Sequence, residues 1–331
     1  MCKSELKVSV LLISYNHQSY IREALDSVLG QKTTFSFEVI IYDDKSTDGT
    51  RDVILSYQRN YPEIIKTIFP DENQVSQGKS PLCDYLIPAA NGEYFAMLEC
   101  DDYWIDDLKL QRQYEYMEAH KEVSLCAHSV ELFNDQTKQI EGVSNSCSAP
   151  VEVSTSEIIK RGGAVLATCS YFCKASDMLE YLGWKPENCP VGDWPMMIYL
   201  SMRGKVCCLP NVMGRYRVAV STSWTGRRSA DMKSAALFDE QMIGMIYVLA
   251  SNMPEQYKKP LMHKASIYLY DLAFRSNGKV DALAKKHDFP LESLSARDRF
   301  SLSARLYAKK ALDKARLLPL AERVMLRLAS R

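Results

Sequence analysis

The sequence predicts an α/β fold: an open, mostly parallel sheet flanked by helices, followed by a helical C-terminal region. Three observations carry this prediction. Over the first 70 residues, apolar runs and amphipathic stretches alternate as β-α-β-α-β, the order that builds a parallel sheet covered on both faces. Two of the apolar runs end in adjacent acids, Asp43 with Asp44 and Asp101 with Asp102, and in open parallel sheets ligands sit outside the carboxyl ends of the strands. Beyond about residue 226, strand signals give way to long helical patterns.

Each element has its own signature. KVSVLLISY (Lys7 to Tyr15) is nearly continuous in β-formers, as a strand buried on both faces requires. Ile21, Ala24, Leu25, Val28 and Leu29 then fall on one helical stripe, with Ser19 as candidate N-cap and Gly30 as stop. Phe37 to Asp44 is the second strand, Val53, Ile54, Tyr57 and Tyr61 mark the second helix, and Ile64 to Phe69 is the third strand. A helix near Leu82 to Ala90 leads to the strand Glu93 to Glu99. Leu108 to His120 has helical spacing, Val123 to Phe133 reads as a strand, and Gly142 to Pro150 has the composition of a loop that can move over a site. Thr168 to Lys174 reads as a strand, Asp193 to Gly204 as a helix with Pro195 in its first turn, and Lys205 to Pro210 as another strand. Neither an internal repeat nor a low-complexity segment interrupts this order.

Composition narrows the function classes. With 331 residues, 47% of them hydrophobic, the chain can bury one large core or two moderate ones. Lys+Arg and Asp+Glu balance at 41 each, so no global field recruits nucleic acid, and no nucleic-acid partner is expected. The first apolar run is short and broken by Ser9 and Ser14, unlike a secretory signal, and no run reaches transmembrane length. These features predict a cytoplasmic chain whose 10 Cys stay reduced and mostly buried, since none forms a C-x-x-C pair.

The acid pairs suggest chemistry. Asp43 or Asp44 can accept hydrogen bonds from a base or ribose. Asp101 or Asp102 can hold a hard divalent cation that bridges a diphosphate. The competing explanation is that each pair caps the next helix.

Read together, VSVLLISYNHQSYIREALDSVLGQ, FEVIIYDDKSTDGT and GEYFAMLECDDYW resemble the nucleotide-binding half of glycosyltransferase family 2, inverting enzymes of the GT-A fold. The resemblance spans residues 1–115 and implies an acceptor-binding half at 116–225, with the helical region at 226–331. It implies that Tyr15 stacks near the nucleotide base and that Asp44, beside Asp43, accepts from that base, usually uracil. Asp101 would lie near the ribose and metal, and Asp102 would bind Mn2+ or Mg2+. Glu99 stands where many relatives carry Asp, and Lys79 is the nearest match to a basic residue that contacts the nucleotide. An inverting transfer also needs a base for the acceptor hydroxyl. The family carries it as an acid at the start of a helix in the acceptor half, and VGDWPMMIYL matches with Asp193. Trp194 can form a platform for a sugar face, or be a buried residue at the helix start.

One departure stands out. Relatives often read Tyr-Arg-Val-His where this chain has Tyr216 to Ala219. Arg215 and Arg217 remain to neutralise a diphosphate, while the five His are too scattered for a metal cluster. The tail from Leu302 to Arg331 combines an apolar stripe with many Lys and Arg. It suits peripheral contact with an anionic membrane or packing on its own domain or a partner subunit. The resemblance therefore implies transfer of a hexose or N-acetylhexosamine from a nucleotide-sugar, usually UDP-linked in this family, to a hydroxyl of a glycan or lipid-linked glycan at the inner face of the membrane. A non-catalytic glycan-binding or nucleotide-sugar-binding subunit is the rival, motivated by Ala219 and the altered ECDD. A nucleotidyltransferase would want a Gly-rich loop after the first strand, which SYNHQSY lacks.

Overall fold

The structure, a computed structural model, describes residues 5–187, 189–220 and 231–314. The chain forms two compact units, Met1–Lys185 with Gly192–Ser223 and Pro186–Val191 with Trp224–Arg331.

The first unit is built on one sheet. Its opening half is β1 (Leu6–Ser14), α1 (Ile21–Leu29), β2 (Ser36–Asp43), α2 (Thr50–Asn60), β3 (Ile65–Ile68), the short α3 (Ile87–Ala89) and β4 (Tyr94–Glu99). It continues through β5 (Tyr103–Trp104), α4 (Lys109–Ala119), β6 (Val123–Asn134), β7 (Gln139–Ser144), β8 (Val151–Glu152), α5 (Thr155–Arg161), β9 (Phe172–Lys174), α6 (Ala175–Trp184), α7 (Asp193–Arg203) and β10 (Lys205–Val218). Strand order is β3-β2-β1-β4-β9-β6-β10-β5, with β7 on β6 and β8 on β10. The long pairings β3-β2-β1-β4 and β6-β10 are parallel, and β9 joins them antiparallel to β4 and β6. Val8, Val10 and Leu12 of β1 and Val39 and Ile41 of β2 are buried among Ile21, Leu25 and Val28 of α1 and Ile54 of α2, so the apolar stripes close one face of the sheet.

Several predicted boundaries differ for identifiable reasons. Ser19 does not cap α1: Tyr20 precedes the helix without a side-chain cap. The amides of Asn16, His17 and Gln18 are instead taken by Ser46, Thr50 and Asp48 of the next loop, and the His17 carbonyl accepts from Tyr20 and Ile21. Gly142 to Ser144 are strand rather than loop, because β6 extends to Asn134 and offers an edge on which β7 pairs antiparallel. Likewise β10 runs on past Pro210, whose missing N–H is absorbed where the register shifts between Leu209 and Val212. The segment Thr168–Ser170 is a 3-10 turn before the short β9.

Lys109, at the start of α4, is fully buried with its Nζ 3.8 Å from the centroid of the Trp104 ring and no hydrogen-bond acceptor. Burial pushes its ammonium down from 10.5 to about 7. The unfolded chain therefore keeps a proton that the folded chain gives up across this interval, and stability should rise with pH from about 7 towards 10.5. Thermal melts of Lys109→Met should lack that rise between pH 7 and 9 and start from a higher Tm at pH 7, since an apolar side chain of similar length removes an unpaired buried charge. An unchanged pH slope would contradict it.

The regular elements of the second unit, among its described residues, are helices: α8 (Met232–Asn252), α9 (Glu255–Arg275), α10 (Val280–Lys286) and α11 (Ala296–Lys314). Asp231 caps α8 through the amides of Lys233 and Ser234, both at 2.8 Å. Leu302 is buried and Lys309 pairs with Asp271 of α9 at 2.8 Å, so this part of the basic tail packs on its own unit. The remainder of the predicted tail, residues 315–331, lies outside the described residues. No described helix is long and apolar enough to cross a membrane.

Candidate active site

The first two strand ends are tied to each other. Ser14 and Asp43 are register partners, and the Asp44 amide donates to the Ser14 carbonyl at 3.0 Å. Asn16 and Lys45 both turn through left-handed backbone, φ 57° and 62°. Asp43 is buried; its carboxylate accepts from the Ser46 amide (3.2 Å) and hydroxyl and pairs with Arg51 at 3.3 Å. Asp44 is also buried, and accepts from the Tyr42 hydroxyl (2.9 Å) and the amides of Gln74 (2.8 Å) and Val75 (3.2 Å). Asp43 thus organises its own loop, while Asp44 anchors the 73–75 segment to the strand end. Lys79 is exposed, and its amide donates to the Gln74 carbonyl at 3.0 Å, one hydrogen bond from that anchor. Tyr15 is half-buried just beyond β1.

Neither acid pair caps a helix. Asp48 serves the first turn of α2 by accepting from the Thr50 amide at 3.0 Å, and Asp106 serves the start of α4 through the Leu108 amide at 2.8 Å.

The second strand end gathers carboxylates. Asp102 is buried; its Oδ1 accepts the Arg217 amide at 2.7 Å, and its Oδ2 is buried with no hydrogen-bond partner, beside the weakly donating Cys169 thiol. Burial, then the charges of Asp101 and Glu99, push its carboxyl well above the ordinary range. Glu99 is pushed up to about 8 by burial, then by Asp101 and Asp193. Asp193, at the first position of α7, is raised by burial although the Trp194 amide donates to its Oδ1 at 2.8 Å. Its helix is preceded by Gly192 as N-cap, so Asp193 is not itself the cap. The protein therefore brings Glu99 within electrostatic reach of both Asp101 and Asp193, with Asp102 beside Glu99 and Asp101, where uncompensated negative charge favours a cation.

A divalent ion fits this donor set. An oriented, buried carboxylate oxygen without a partner is the kind of ligand that hard cations take. Among the described residues no group of three or more His, Cys, Asp or Glu side chains is arranged to hold a metal ion.

Three predicted contacts need correction. Trp194 is 1% exposed and its indole N–H donates to the Ile158 carbonyl at 2.9 Å, so it is core and offers no face to a sugar. Arg217 is buried: its guanidinium donates to the Asp101 carbonyl, pairs with Glu23, and lies 4.6 Å from the Tyr103 ring centroid. It braces the acid loop rather than facing a ligand. Arg215 forms an ion pair with Glu131 at 2.6 Å and donates to the Tyr103 hydroxyl at 2.6 Å, so its charge is already matched within the sheet. Ala219 follows β10 with φ 61°, a conformation that accepts His or Asn more readily than Ala.

One neighbour escaped the sequence reading. A Cβ placed on Gly163 would stand 2.5 Å from Asp193 Oδ2, so the glycine lets the backbone lie against this carboxylate without displacing it. The Gly162-Gly163 pair was the visible signal.

Comparison with known proteins completes the picture. Residues 9–173 match the model for glycosyl transferase family 2. The chain belongs to this family. An uncharacterized Mycobacterium tuberculosis protein, Rv1520, is 33% identical over 221 residues, 66% of this chain and 60% of its own length. The chain thus spans less than two thirds of that relative. The Escherichia coli UDP-Glc:alpha-D-GlcNAc-diphosphoundecaprenol beta-1,3-glucosyltransferase WfaP is 33% identical over 186 residues, 56% of this chain and 65% of its own. Among solved structures, S. aureus TarS in complex with UDP-GlcNAc superposes with a TM-score of 0.55 at 15% identity, covering 93% and 92% of the two chains. The mannosyltransferase PcManGT from Pyrobaculum calidifontis, in complex with GDP-Man and Mn2+, gives 0.53 at 16%, covering 98% and 85%. At such identities these likenesses establish the GT-A fold of this family 2 chain.

Proposed function

We propose that this family 2 chain is an inverting glycosyltransferase that moves a hexose or N-acetylhexosamine from a UDP-sugar to a hydroxyl of a lipid-linked glycan in surface polysaccharide synthesis. The observation that carries it is the approach of Asp193, from the second half of the fold, to Glu99 at the end of β4, beside the Asp101–Asp102 pair. One group can deprotonate an acceptor while the others hold the leaving diphosphate through a cation.

In this reading Tyr15 and the Asp43–Asp44 strand end receive the nucleoside, Lys79 approaches the nucleotide from its exposed loop, and Asp101 faces the ribose. Asp102 and Asp101 would hold Mn2+ or Mg2+, which when bound supplies charge stabilisation for the departing diphosphate. Asp193 accepts the proton of the acceptor hydroxyl. Its burial raises its basicity, which suits proton abstraction at neutral pH. Arg217 keeps the acid loop in place through the Asp101 carbonyl and the Asp102 carboxylate. The UDP preference is supported by the UDP-Glc in the name of WfaP and the UDP-GlcNAc bound to TarS, and the cation by the Mn2+ bound to PcManGT. A lipid-linked acceptor would bring the enzyme to the inner face of the membrane, where the basic C-terminal stretch meets anionic headgroups.

Purified protein with Mn2+, a diphosphoundecaprenol-linked glycan acceptor and a panel of nucleotide-sugars should release nucleotide from one UDP-sugar and stop in EDTA. Binding of a UDP-sugar without turnover on any acceptor would replace the enzyme with a non-catalytic binding subunit.

A further inference from the structure

Asp193 is placed by more than its own helix. The backbone of Gly163 lies against its carboxylate: a Cβ there would be 2.5 Å from Oδ2, 3.2 Å from Cγ and 3.3 Å from Oδ1. Gly163 belongs to a single 3-10 turn, Gly162–Val165, entered through left-handed backbone at Gly162 (φ 79°). Such a turn has little internal hydrogen bonding, so its position depends on what grips its ends.

One side chain grips the far end of the turn and also meets the residue before it. Asn145 Nδ2 donates to the Val165 carbonyl at 2.9 Å, and Asn145 Oδ1 accepts from Arg161 Nη2 at 3.2 Å. Asn145 is fixed to the sheet in turn, because its carbonyl accepts the hydroxyl of Ser129, a buried β6 residue, at 2.9 Å. The Asn145 backbone is left-handed, φ 51°, and holds the amide over the turn.

We propose that Asn145 is a positioning residue for Asp193, acting through Gly163. Resting on the role of Asp193 as base, this assigns a function to the loop after β7. The chain of contact is Ser129, Asn145, the 161–165 turn, Gly163 and the Asp193 carboxylate. Small displacements of a reacting group cost large factors in rate, so loosening the clamp should lower the chemical step without weakening donor binding.

The test uses full-length protein with its UDP-sugar and Mn2+. Asn145→Gly keeps the left-handed backbone available and deletes only the clamp. We expect kcat to fall roughly 10-fold with donor KM unchanged within about two-fold. Gly163→Ala, which drives a methyl into the carboxylate, should cost roughly 10²-fold in kcat. The double variant should be no slower than Gly163→Ala alone, since both act on one group. Should Gly163→Ala fail to fold, the kcat-against-KM split of Asn145→Gly decides alone. Wild-type kcat in Asn145→Gly, an equal change in KM, or independent multiplication of the two effects would overturn the proposal. Full activity in Asp193→Asn would instead remove the base assignment itself, a separate failure.

Discussion

Asp193→Asn should lower kcat by roughly 10²–10⁴-fold, the contribution of a positioned general base, and leave the donor Kd within about two-fold. The substitution is nearly isosteric. Its oxygen can still accept the Trp194 amide that Asp193 accepts at 2.8 Å, so α7 keeps its first turn and Gly163 keeps its neighbour. What disappears is a carboxylate lone pair basic enough to take a hydroxyl proton. Because burial raises the Asp193 carboxyl above its ordinary 3.8, the acid limb of the wild-type kcat profile should sit higher than that of a solvent-exposed aspartate. The limb should be absent from the residual rate of the variant. Parallel loss of donor binding and turnover, measured by calorimetry with UDP and by nucleotide release, would make Asp193 a structural residue instead.

Asp102→Asn should produce a more stable and far less active protein. In the metal-free chain Asp102 is a buried carboxylate with an unpartnered Oδ2, crowded by the charges of Asp101 and Glu99. Removing the charge relieves the crowding by Asp101 and Glu99, and Tm in EDTA should rise by several degrees. The Arg217 amide at 2.7 Å keeps an acceptor. With Mn2+ the order reverses: wild type should gain Tm on adding the ion and the variant should not. Turnover should fall roughly 10³-fold, as the several kcal/mol supplied by the cation is lost. A variant that melts below wild type in EDTA, yet turns over normally, would show that Asp102 serves the fold and not the ion.

Such opposition between stability and activity explains what the sequence made legible. Apolar strands that end in acids are poor for folding, and that local conflict marked the site at Asp43–Asp44 and Asp101–Asp102 before any coordinates. The β-α-β-α-β half was readable because its strands are short, parallel and continuously apolar. The second half was harder. β6 and β10 owe their length to pairing with each other over eleven register positions, a long-range fact invisible to local periodicity. The helices α5 and α6 have 7 and 10 residues, too few turns for their stripes to stand out.

Side-chain fate was the least legible property. Trp194 and Arg217 have residue types that suit ligands, yet packing sends the indole to the Ile158 carbonyl and the guanidinium to Glu23 and the Asp101 carbonyl. Neither partner lies near in sequence. The role of Gly163 was hidden for the opposite reason, because a missing side chain leaves no chemical signal and only the approach of Asp193 reveals its use.

The central claim is a single displacement at the anomeric carbon with Asp193 as base, and product stereochemistry tests it most directly. Transfer from an α-linked UDP-sugar to a lipid-linked glycan, followed by proton NMR of the new linkage, should show the β anomer alone. An α linkage would mean net retention, and would contradict both the single displacement and the role given to Asp193.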